Sequence, residues 1–232
     1  QVEGRVHGRS SVGGIVGRQV GGLLRNGFFE GTITGEGQLG GIVGVASNAA
    51  RLEQVFAKGY VHATSGDAGG LVGEASFSAE IAKSLAQVRV EAKARAGGAV
   101  GLLKCGATIT ESFTEKQVVG ATAGGLVAQI ENGCVVESYS LTIPVGTQSA
   151  GGLVASIADH QVMGIDGGDW VFECTGTKSK AADYIVDRSY FQDDPTIPRG
   201  DAGNPLTVAQ LKDSVNFAQW KFGQTWGMRP NE

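Results

Sequence analysis

The sequence predicts an all-β fold, a parallel β-solenoid of about six coils that are each 27 to 29 residues long. Three observations lead to this prediction. A glycine-pair phrase recurs at a nearly constant period, a second apolar element recurs in phase with it, and every apolar run is short. Short runs of this kind are typical of strands rather than helices. A unit of three short strands buries its apolar face only by stacking on copies of itself, which produces a continuous core.

The glycine phrase consists of two glycines, an apolar residue and a valine, and it recurs six times. The first glycines stand at positions 13, 40, 69, 97, 124 and 151, which are steps of 27, 29, 28, 27 and 27. The twelve predicted structural glycines are Gly13, Gly14, Gly40, Gly41, Gly69, Gly70, Gly97, Gly98, Gly124, Gly125, Gly151 and Gly152. We expect stacked corners here, because glycine adopts positive φ without steric cost and because stacking leaves no room for a Cβ atom. No nucleotide-binding glycine motif or P-loop lysine accompanies the pairs.

The second element is a small residue followed by a large apolar one, about 15 residues after each pair. The copies are Gly27-Phe28, Val55-Phe56, Ser84-Leu85, Ser112-Phe113 and Ser138-Tyr139. An aliphatic residue returns shortly afterwards, so that each period holds three apolar runs separated by polar or glycine-rich corners. We expect equivalent strands to pair in register about 4.8 Å apart and the solenoid to be right-handed, as parallel crossovers are. Val20-Gly21-Gly22-Leu23-Leu24 is an out-of-phase copy that the repeat does not explain.

Composition and charge exclude several classes of protein. The chain has 38 glycines among 232 residues but also 41% apolar residues and only five prolines, which distinguishes it from a flexible linker. The net charge is −4 and the lysines and arginines form no basic stripe, so nucleic acid is not an expected partner. No apolar run approaches the roughly 20 residues of a membrane helix, so no membrane insertion is expected. Cys105, Cys134 and Cys174 leave one cysteine unpaired at best, so disulfides are not the framework.

The repeat is predicted to occupy residues 1–200, with one interruption in its last coil. The distance from Gly151 to Ser189 is 38 residues, where earlier coils use 14 or 15, so an insertion is expected at about 159–187. Its acidic residues suggest a Ca²⁺ site, because hard cations prefer several oxygen ligands. The weak candidates for metal ligands are Asp159, Asp166 and Asp169. Their spacing matches no EF-hand loop, and a solvated acidic loop is the alternative.

Residues 201–232 are predicted to form a capping segment that contains a helix. Thr207 with Gln210 forms a capping box, the usual start of a helix. A helix and large aromatic residues would cover the unpaired strand edges at the end of the solenoid. No comparable segment precedes Val12, so we expect further coils or another domain of the same chain at the N-terminal end.

The Gly-Gly-Leu-Val-Gly phrase, with Ser-Phe or Ser-Tyr about 15 residues later, resembles the GLUG motif of bacterial surface proteins. The resemblance covers about residues 12–157. It implies a repeat scaffold in a large adhesin-like protein and supplies no catalytic residues. Departures from the motif are Ala99, Ala128 and Ala155, which concern packing. The motif also occurs beside the peptidase of IgA-cleaving metalloproteases, but no His-Glu-x-x-His sequence is present, so peptidase activity is not implied.

These observations predict a non-enzymatic structural or adhesive module, extracellular or at a bacterial cell surface. Its outer strand positions or its insertion would bind a glycan or a host protein, and no catalytic or cofactor-binding residue is predicted. One alternative is a carbohydrate-active enzyme, which needs convergent acids such as Asp193-Asp194 or those of the insertion. Another is ice binding, which needs a regular threonine array. The candidate threonines Thr32, Thr34, Thr64, Thr122 and Thr147 do not share one phase.

Two further predictions concern histidine and valine. The three histidines, His7, His62 and His160, are assigned to different coils at different phases, which disfavours a shared metal site or a triad. On a regular strand one of two neighbouring residues faces outwards. The valines of the phrase would then form an exposed stripe for a partner, unless a bend at the glycines turns both neighbours inwards. These valines are Val16, Val43, Val72, Val100, Val127 and Val154.

Overall fold

The fold was obtained as a computed structural model that describes residues 2–158, 185–187, 189–192, 195–196, 198, 200, 203–207 and 210. These residues form a parallel β-solenoid of about six turns, as the repeat predicts. Every strand pairing among them is parallel, within one sheet of 14 strands and one of ten. The handedness of the solenoid stays a prediction.

Each coil supplies strands to four ladders, and the strands are numbered in chain order. The long ladder contains β1 (Val2–Gly8), β5 (Phe28–Gly35), β9 (Phe56–Ala63), β13 (Leu85–Ala92), β16 (Phe113–Glu115), β17 (Gln117–Gly124), β19 (Tyr139–Ser140), β20 (Ile143–Gly151), β23 (Tyr190–Gln192) and β24 (Asn204–Leu206). The glycine ladder contains β2 (Val12–Gly13), β6 (Leu39–Gly40), β10 (Ala68–Gly69), β14 (Arg95–Gly97) and the ends of β17 and β20. These two ladders make up the 14-stranded sheet.

The ten-stranded sheet contains the other two ladders. The valine ladder contains β3 (Val16–Val20), β7 (Val43–Ser47), β11 (Val72–Ala75), the first half of β15 (Val100–Thr110), the first half of β18 (Val127–Val136) and β21 (Val154–Ile157). The short ladder contains β4 (Leu23–Arg25), β8 (Arg51–Glu53), β12 (Glu80–Ala82), the second halves of β15 and β18, and β22 (Ile185–Asp187). A coil therefore has four strand segments rather than the three that the sequence predicts. The short ladder is the one that was missed.

In-register stacking places like residues over like. Gly40, Gly69 and Gly97 are successive pairing partners in the glycine ladder. Inward-facing columns form one apolar core along the stack, with a large phenylalanine near each end. Phe29 and Phe191 are each 2% exposed. The small inward residues between them leave space for the backbone of the glycine corner on the opposite side of the coil.

The glycine pairs are close-contact corners. None of the twelve has a positive φ, so the prediction that they need one is wrong. A Cβ atom at Gly70 would overlap the carbonyl oxygen of Gly98 in the next coil and lie 2.9 Å from the Cβ atom of Ala86. Cβ atoms at the equivalent Gly41 and Gly98 would also meet the backbone of a neighbouring coil. The second predicted reason, lack of space, explains these pairs.

The out-of-phase copy at Val20–Leu24 is a different corner. Gly21 and Gly22 have φ values of +65° and +73°, and they connect β3 to β4. In the next coil Asn48 and Ala49 adopt φ values of 55° and 57° at the same corner. This left-handed turn needs positive φ rather than a missing side chain, so glycine is favoured there without being required.

The third corner is held by buried serine hydroxyls. Ser112 Oγ donates to the carbonyl of Thr110 at 2.8 Å and accepts the backbone N–H of Ser84 at 3.1 Å. The buried serines of this column are Ser84, Ser112, Ser138 and Ser189. The residue before each of these corners has a φ of 48° to 56°, at Asn26, Gln54, Lys83, Glu111 and Glu137. The small residue predicted before the large apolar one is thus a hydrogen-bonding residue in most coils.

The hypothesis that the valines of the phrase form an exposed stripe is wrong. Val43, Val72, Val100, Val127 and Val154 are each 0% exposed, and Val16 in the first coil is half-buried. The bend at each glycine pair turns both the valine and the preceding apolar residue into the core, as the alternative predicted.

The end of the repeat differs from the prediction in its boundaries. Ile185–Asp187 form β22 and pair in register with Cys134–Val136, so the insertion does not reach residue 187. The long ladder continues to Leu206, beyond the boundary predicted at residue 200. Gln210 is helical, and its N–H donates to Thr207 Oγ1 at 3.2 Å, as in the predicted capping box. The remaining residues of the predicted capping segment lie outside the described residues.

Candidate functional site

The outer surface of the long ladder is the candidate site, and we call it the outer face. It consists of three columns of side chains that point away from the core. The first column contains Glu3, Glu30, Lys58, Gln87 and Glu115. The second contains Arg5, Thr32, Tyr60 and Arg89, and the third contains His7, Thr34, His62, Glu91, Val119 and Val145. Charged and polar side chains of several types alternate along these columns, whereas the inward column of Ile33, Val61, Val90 and Val118 is aliphatic throughout.

A hydrogen-bonded cluster lies in the middle of the outer face. Glu91 accepts a hydrogen bond of 2.5 Å from the hydroxyl of Tyr60, and Arg89 Nε donates to its other oxygen at 2.9 Å. The Tyr60 and His62 rings are stacked with centroids 5.9 Å apart. Because strand residues two apart share a face and the coil step brings β9 beside β13, the side chains of Tyr60, His62, Arg89 and Glu91 meet within two coils.

These contacts perturb two pKa values. The hydrogen bond from Tyr60 lowers the pKa of Glu91, and Arg89 lowers it further. Desolvation, followed by the hydrogen bond to Glu91, raises the pKa of Tyr60 to about 12. At neutral pH the cluster therefore contains an ionised carboxylate and a neutral phenol.

His62 is positioned beside this carboxylate without being bonded to it. Its Nδ1 atom is shielded from solvent, lacks a hydrogen-bond partner and lies 3.5 Å from Glu91 Oε2. That separation is too long for a good hydrogen bond but short enough for an ion pair once the imidazole is protonated. His7 occupies the same column two coils away and lies 2.9 Å, through Nδ1, from Thr34 Oγ1. The prediction that His7 and His62 differ in phase is wrong.

A shallow, open depression of about 430 Å³ adjoins the cluster. It is lined by His62, Ala63, Thr64, Glu91, Ala92, Lys93 and Val119. Its volume lies toward the lower end of the 300–1,000 Å³ typical of ligand sites. The lining combines apolar side chains with the ammonium of Lys93, the carboxylate of Glu91, the imidazole of His62 and the hydroxyl of Thr64.

A second charged group lies beside the glycine corner and is internally paired. Arg95 donates to both oxygens of Asp67 at 2.9 and 2.8 Å and to Gln129 Oε1 at 3.1 Å. The side chains of Asp67 and Arg95 are 7% and 29% exposed. The hydrogen bond to Asp67 raises the pKa of Arg95. Because its members are bonded to one another, this group stabilises the coil stack rather than offering a binding site.

An aromatic column also follows the long ladder. Phe28 stacks on Phe56 at 5.0 Å, and Phe113 stacks on Tyr139 at 4.9 Å. Rings stacked on each other turn their faces toward one another, which leaves mainly their edges for a ligand. Burial raises the pKa of Tyr139. This column therefore stabilises the stack more than it offers a platform for sugars.

The predicted metal ligands are not among the residues that the structure describes. Asp159, Asp166 and Asp169 lie outside the described ranges, as does Asp193-Asp194 of the enzymatic alternative. Within those ranges no group of three or more His, Cys, Asp or Glu side chains is arranged to hold a metal ion. Cys134 is disulfide-bonded and Cys105 is a free thiol whose pKa is raised by desolvation.

The outer-face cluster was missed in the sequence although a signal for it is present. Tyr60 and Arg89 are 29 residues apart, as are His62 and Glu91. A separation equal to one coil places residues beside each other in a parallel ladder. The spacing of polar residues at the coil period, combined with strand alternation, would have found the site.

The described part of the chain contains no helix long and apolar enough to cross a membrane. Comparison of the sequence with protein-family models and with curated proteins, and of the fold with solved structures, finds no match.

Proposed function

We propose that this chain is a non-enzymatic structural and adhesive repeat module of a large bacterial cell-surface or secreted protein. The observation that carries the proposal is the division between a repeated interior and a variable outer face. Stacked coils with one shared core form a stiff body, since each coil is fixed by hydrogen bonds to its neighbours. Such a body can hold other parts of a protein at a fixed distance and display side chains in regular rows.

The resemblance to the GLUG motif supports an extracellular location. The glycine phrase and the following serine-aromatic pair, which carry the resemblance, lie at two of the corners that stack the coils. A scaffold of this kind has uses outside the cell as a spacer or as an adhesive surface. We therefore propose a cell-surface or secreted adhesin as the parent protein.

The outer face supports the adhesive part of the proposal. Its columns place charged, hydroxyl and imidazole side chains about 4.8 Å apart along the stack. Rows of hydrogen-bonding groups next to apolar side chains suit an extended polar ligand such as a glycan, or the surface of a host protein.

The cellular location can be tested by labelling bacteria that produce the protein. Antibodies raised against the purified chain should bind intact cells or the secreted fraction, and the signal should disappear after mild external proteolysis. Labelling that requires permeabilised cells would contradict the proposal.

The adhesive activity can be tested with a glycan array and immobilised host-surface proteins, using the same sample in a polysaccharide hydrolysis assay. Binding without new reducing or unsaturated ends agrees with an adhesive module. Cleavage of a polysaccharide would instead favour the carbohydrate-active enzyme. Thermal hysteresis of the sample would favour ice binding, although Thr32 and Thr34 lie in different outward columns.

A further inference from the structure

The depression beside the outer-face cluster contains a cation that no ion pair among the described residues neutralises. Lys93 lines the depression and is exposed, and its ammonium makes no ion pair with any described residue. The negative charge of Glu91, in contrast, is paired with Arg89. The charge left over in the depression is therefore positive, which favours an anionic ligand.

The remaining lining groups indicate what kind of anion fits. Thr64 Oγ1 donates its proton to the carbonyl of Gly35 at 3.0 Å, so its lone pairs are left to accept a ligand hydroxyl. His62 and Glu91 add further polar atoms at the rim. Val119, half-buried in the lining, offers an apolar contact. An anionic group, several hydroxyls and an apolar ring face occur together in a sugar that carries a carboxylate.

We propose that this depression binds a carboxylate-bearing sugar residue of an acidic polysaccharide. Lys93 pairs with the sugar carboxylate, Thr64 and His62 contact its hydroxyls, and Val119 lies against the apolar face of its ring. The inference rests on the proposed function, because it names the ligand class for the adhesive face.

The test is a titration of the folded chain with a trimer of galacturonic acid and with the neutral galactose trimer, followed by calorimetry or NMR. Lys93→Gln keeps most of the side-chain volume and removes the charge. Lys58→Gln is the matched control, because Lys58 is on the same face but is ion-paired with Glu30 at 2.7 Å. Thermal unfolding of both variants checks that they are folded.

We expect the acidic trimer to bind the wild-type chain, and Lys93→Gln to weaken it by at least about tenfold, the loss of one charge-assisted hydrogen bond. Lys58→Gln should change the affinity by less than about twofold, and the neutral trimer should bind at least about tenfold more weakly than the acidic one. Absence of binding, equal binding of both trimers, or equal losses in the two lysine variants would overturn the site. Surface labelling of cells is independent of these outcomes, so failure of the site and failure of the proposed function are distinguishable.

Discussion

The inward and outward columns of the same strands follow opposite rules. In β5, β9 and β13 the inward column Ile33, Val61 and Val90 is buried and aliphatic throughout. One residue further along, the outward column changes from Thr34 to His62 to Glu91. Both columns have the same backbone pairing, so the difference arises from their surroundings.

The difference shows that the fold and the candidate site are encoded in separate residues of one repeat. Each inward residue meets the equivalent residue of two neighbouring coils, and a change in one coil must fit both. An outward residue has solvent on one side, so a change alters the surface without disturbing the stack. Interior substitutions should therefore change stability, and outer-face substitutions should change binding or titration.

The largest effect is expected at the glycine corner. Gly70→Ala places a Cβ atom against the backbone of the next coil, and we expect a loss of about 3 kcal/mol or more in the free energy of unfolding. Chemical denaturation followed by circular dichroism measures it. The control is Gly22→Ala, where nothing lies within 4 Å and the next coil already has Ala49. The left-handed φ there should cost about 1 kcal/mol, and equal losses in the two variants would contradict the account.

The serine corner should give the next largest effect. Ser112→Ala leaves the N–H of Ser84 without its acceptor in the core, where an unsatisfied group costs about 1–3 kcal/mol. The carbonyl of Thr110 loses the hydroxyl but keeps the N–H of Lys83. Equilibrium unfolding in urea measures the change. Ser65→Ala is the control, because Ser65 also donates to a carbonyl but is exposed, and its loss should be below about 0.5 kcal/mol. A neutral Ser112→Ala would mean that the hydroxyl column contributes nothing to the stack.

The ion pair beside the glycine corner lies between the two regions in burial. Asp67→Asn weakens a bidentate pair whose carboxylate is 7% exposed, and we expect a loss of about 1 kcal/mol or somewhat more. Glu53→Gln is the matched change in the Arg25–Glu53 pair, where Arg25 is 52% exposed, and it should cost less than about 0.5 kcal/mol. Thermal unfolding at two salt concentrations compares them. A larger loss at the exposed pair would reverse the expected order.

The smallest stability effects are expected on the outer face, where titration is the better measurement. Desolvation and the bond to Glu91 raise the Tyr60 pKa to about 12, so their contribution to stability is present below the unfolded tyrosine pKa and lost as pH rises through about 12. The lowered pKa of Glu91 contributes stability that is present above the unfolded carboxyl pKa and is lost as pH falls through the folded pKa. Glu91→Gln should move the Tyr60 titration part of the way to its ordinary range, measured by tyrosinate absorbance with Tyr60→Phe to assign it. Titration of Tyr60 at its ordinary pKa in the wild-type chain would show that the cluster does not form.

The same division explains what could be predicted from the sequence. The coil period and the parallel fold follow from the glycine pairs, because every coil needs the same small residue at the same close contact. Of the two reasons predicted for the glycine pairs, lack of space for a Cβ atom was right and positive φ was wrong. Positive φ occurs instead at Gly21, Gly22 and the residues before the serine corner. The short ladder was missed because its inward residue can stand alone between polar neighbours, as Leu52 does between Arg51 and Glu53, and then forms no apolar run.

The candidate site was harder to predict because its columns do not repeat one residue type from coil to coil. A tyrosine and a glutamate occur once in the columns of Tyr60 and Glu91, and only the pairing register brings these two residues and Arg89 together. The predicted acidic candidates were chosen by local density in the sequence, which does not reveal which coils are neighbours. Knowledge of the register is therefore the step that separates predicting the fold from predicting its surface.

The central claim is that successive coils stack in register, and distances along one outward column test it most directly. One spin label is placed at position 115, and a second label is placed in turn at position 58, 30 or 3. These positions lie two, three and four coils from position 115 in the first column. With Cys105→Ser as background, electron paramagnetic resonance should give backbone separations rising in steps of about 4.8 Å, to about 19 Å for the last pair. Distances that do not rise with coil number, or that rise by a different step, would contradict the stacked solenoid.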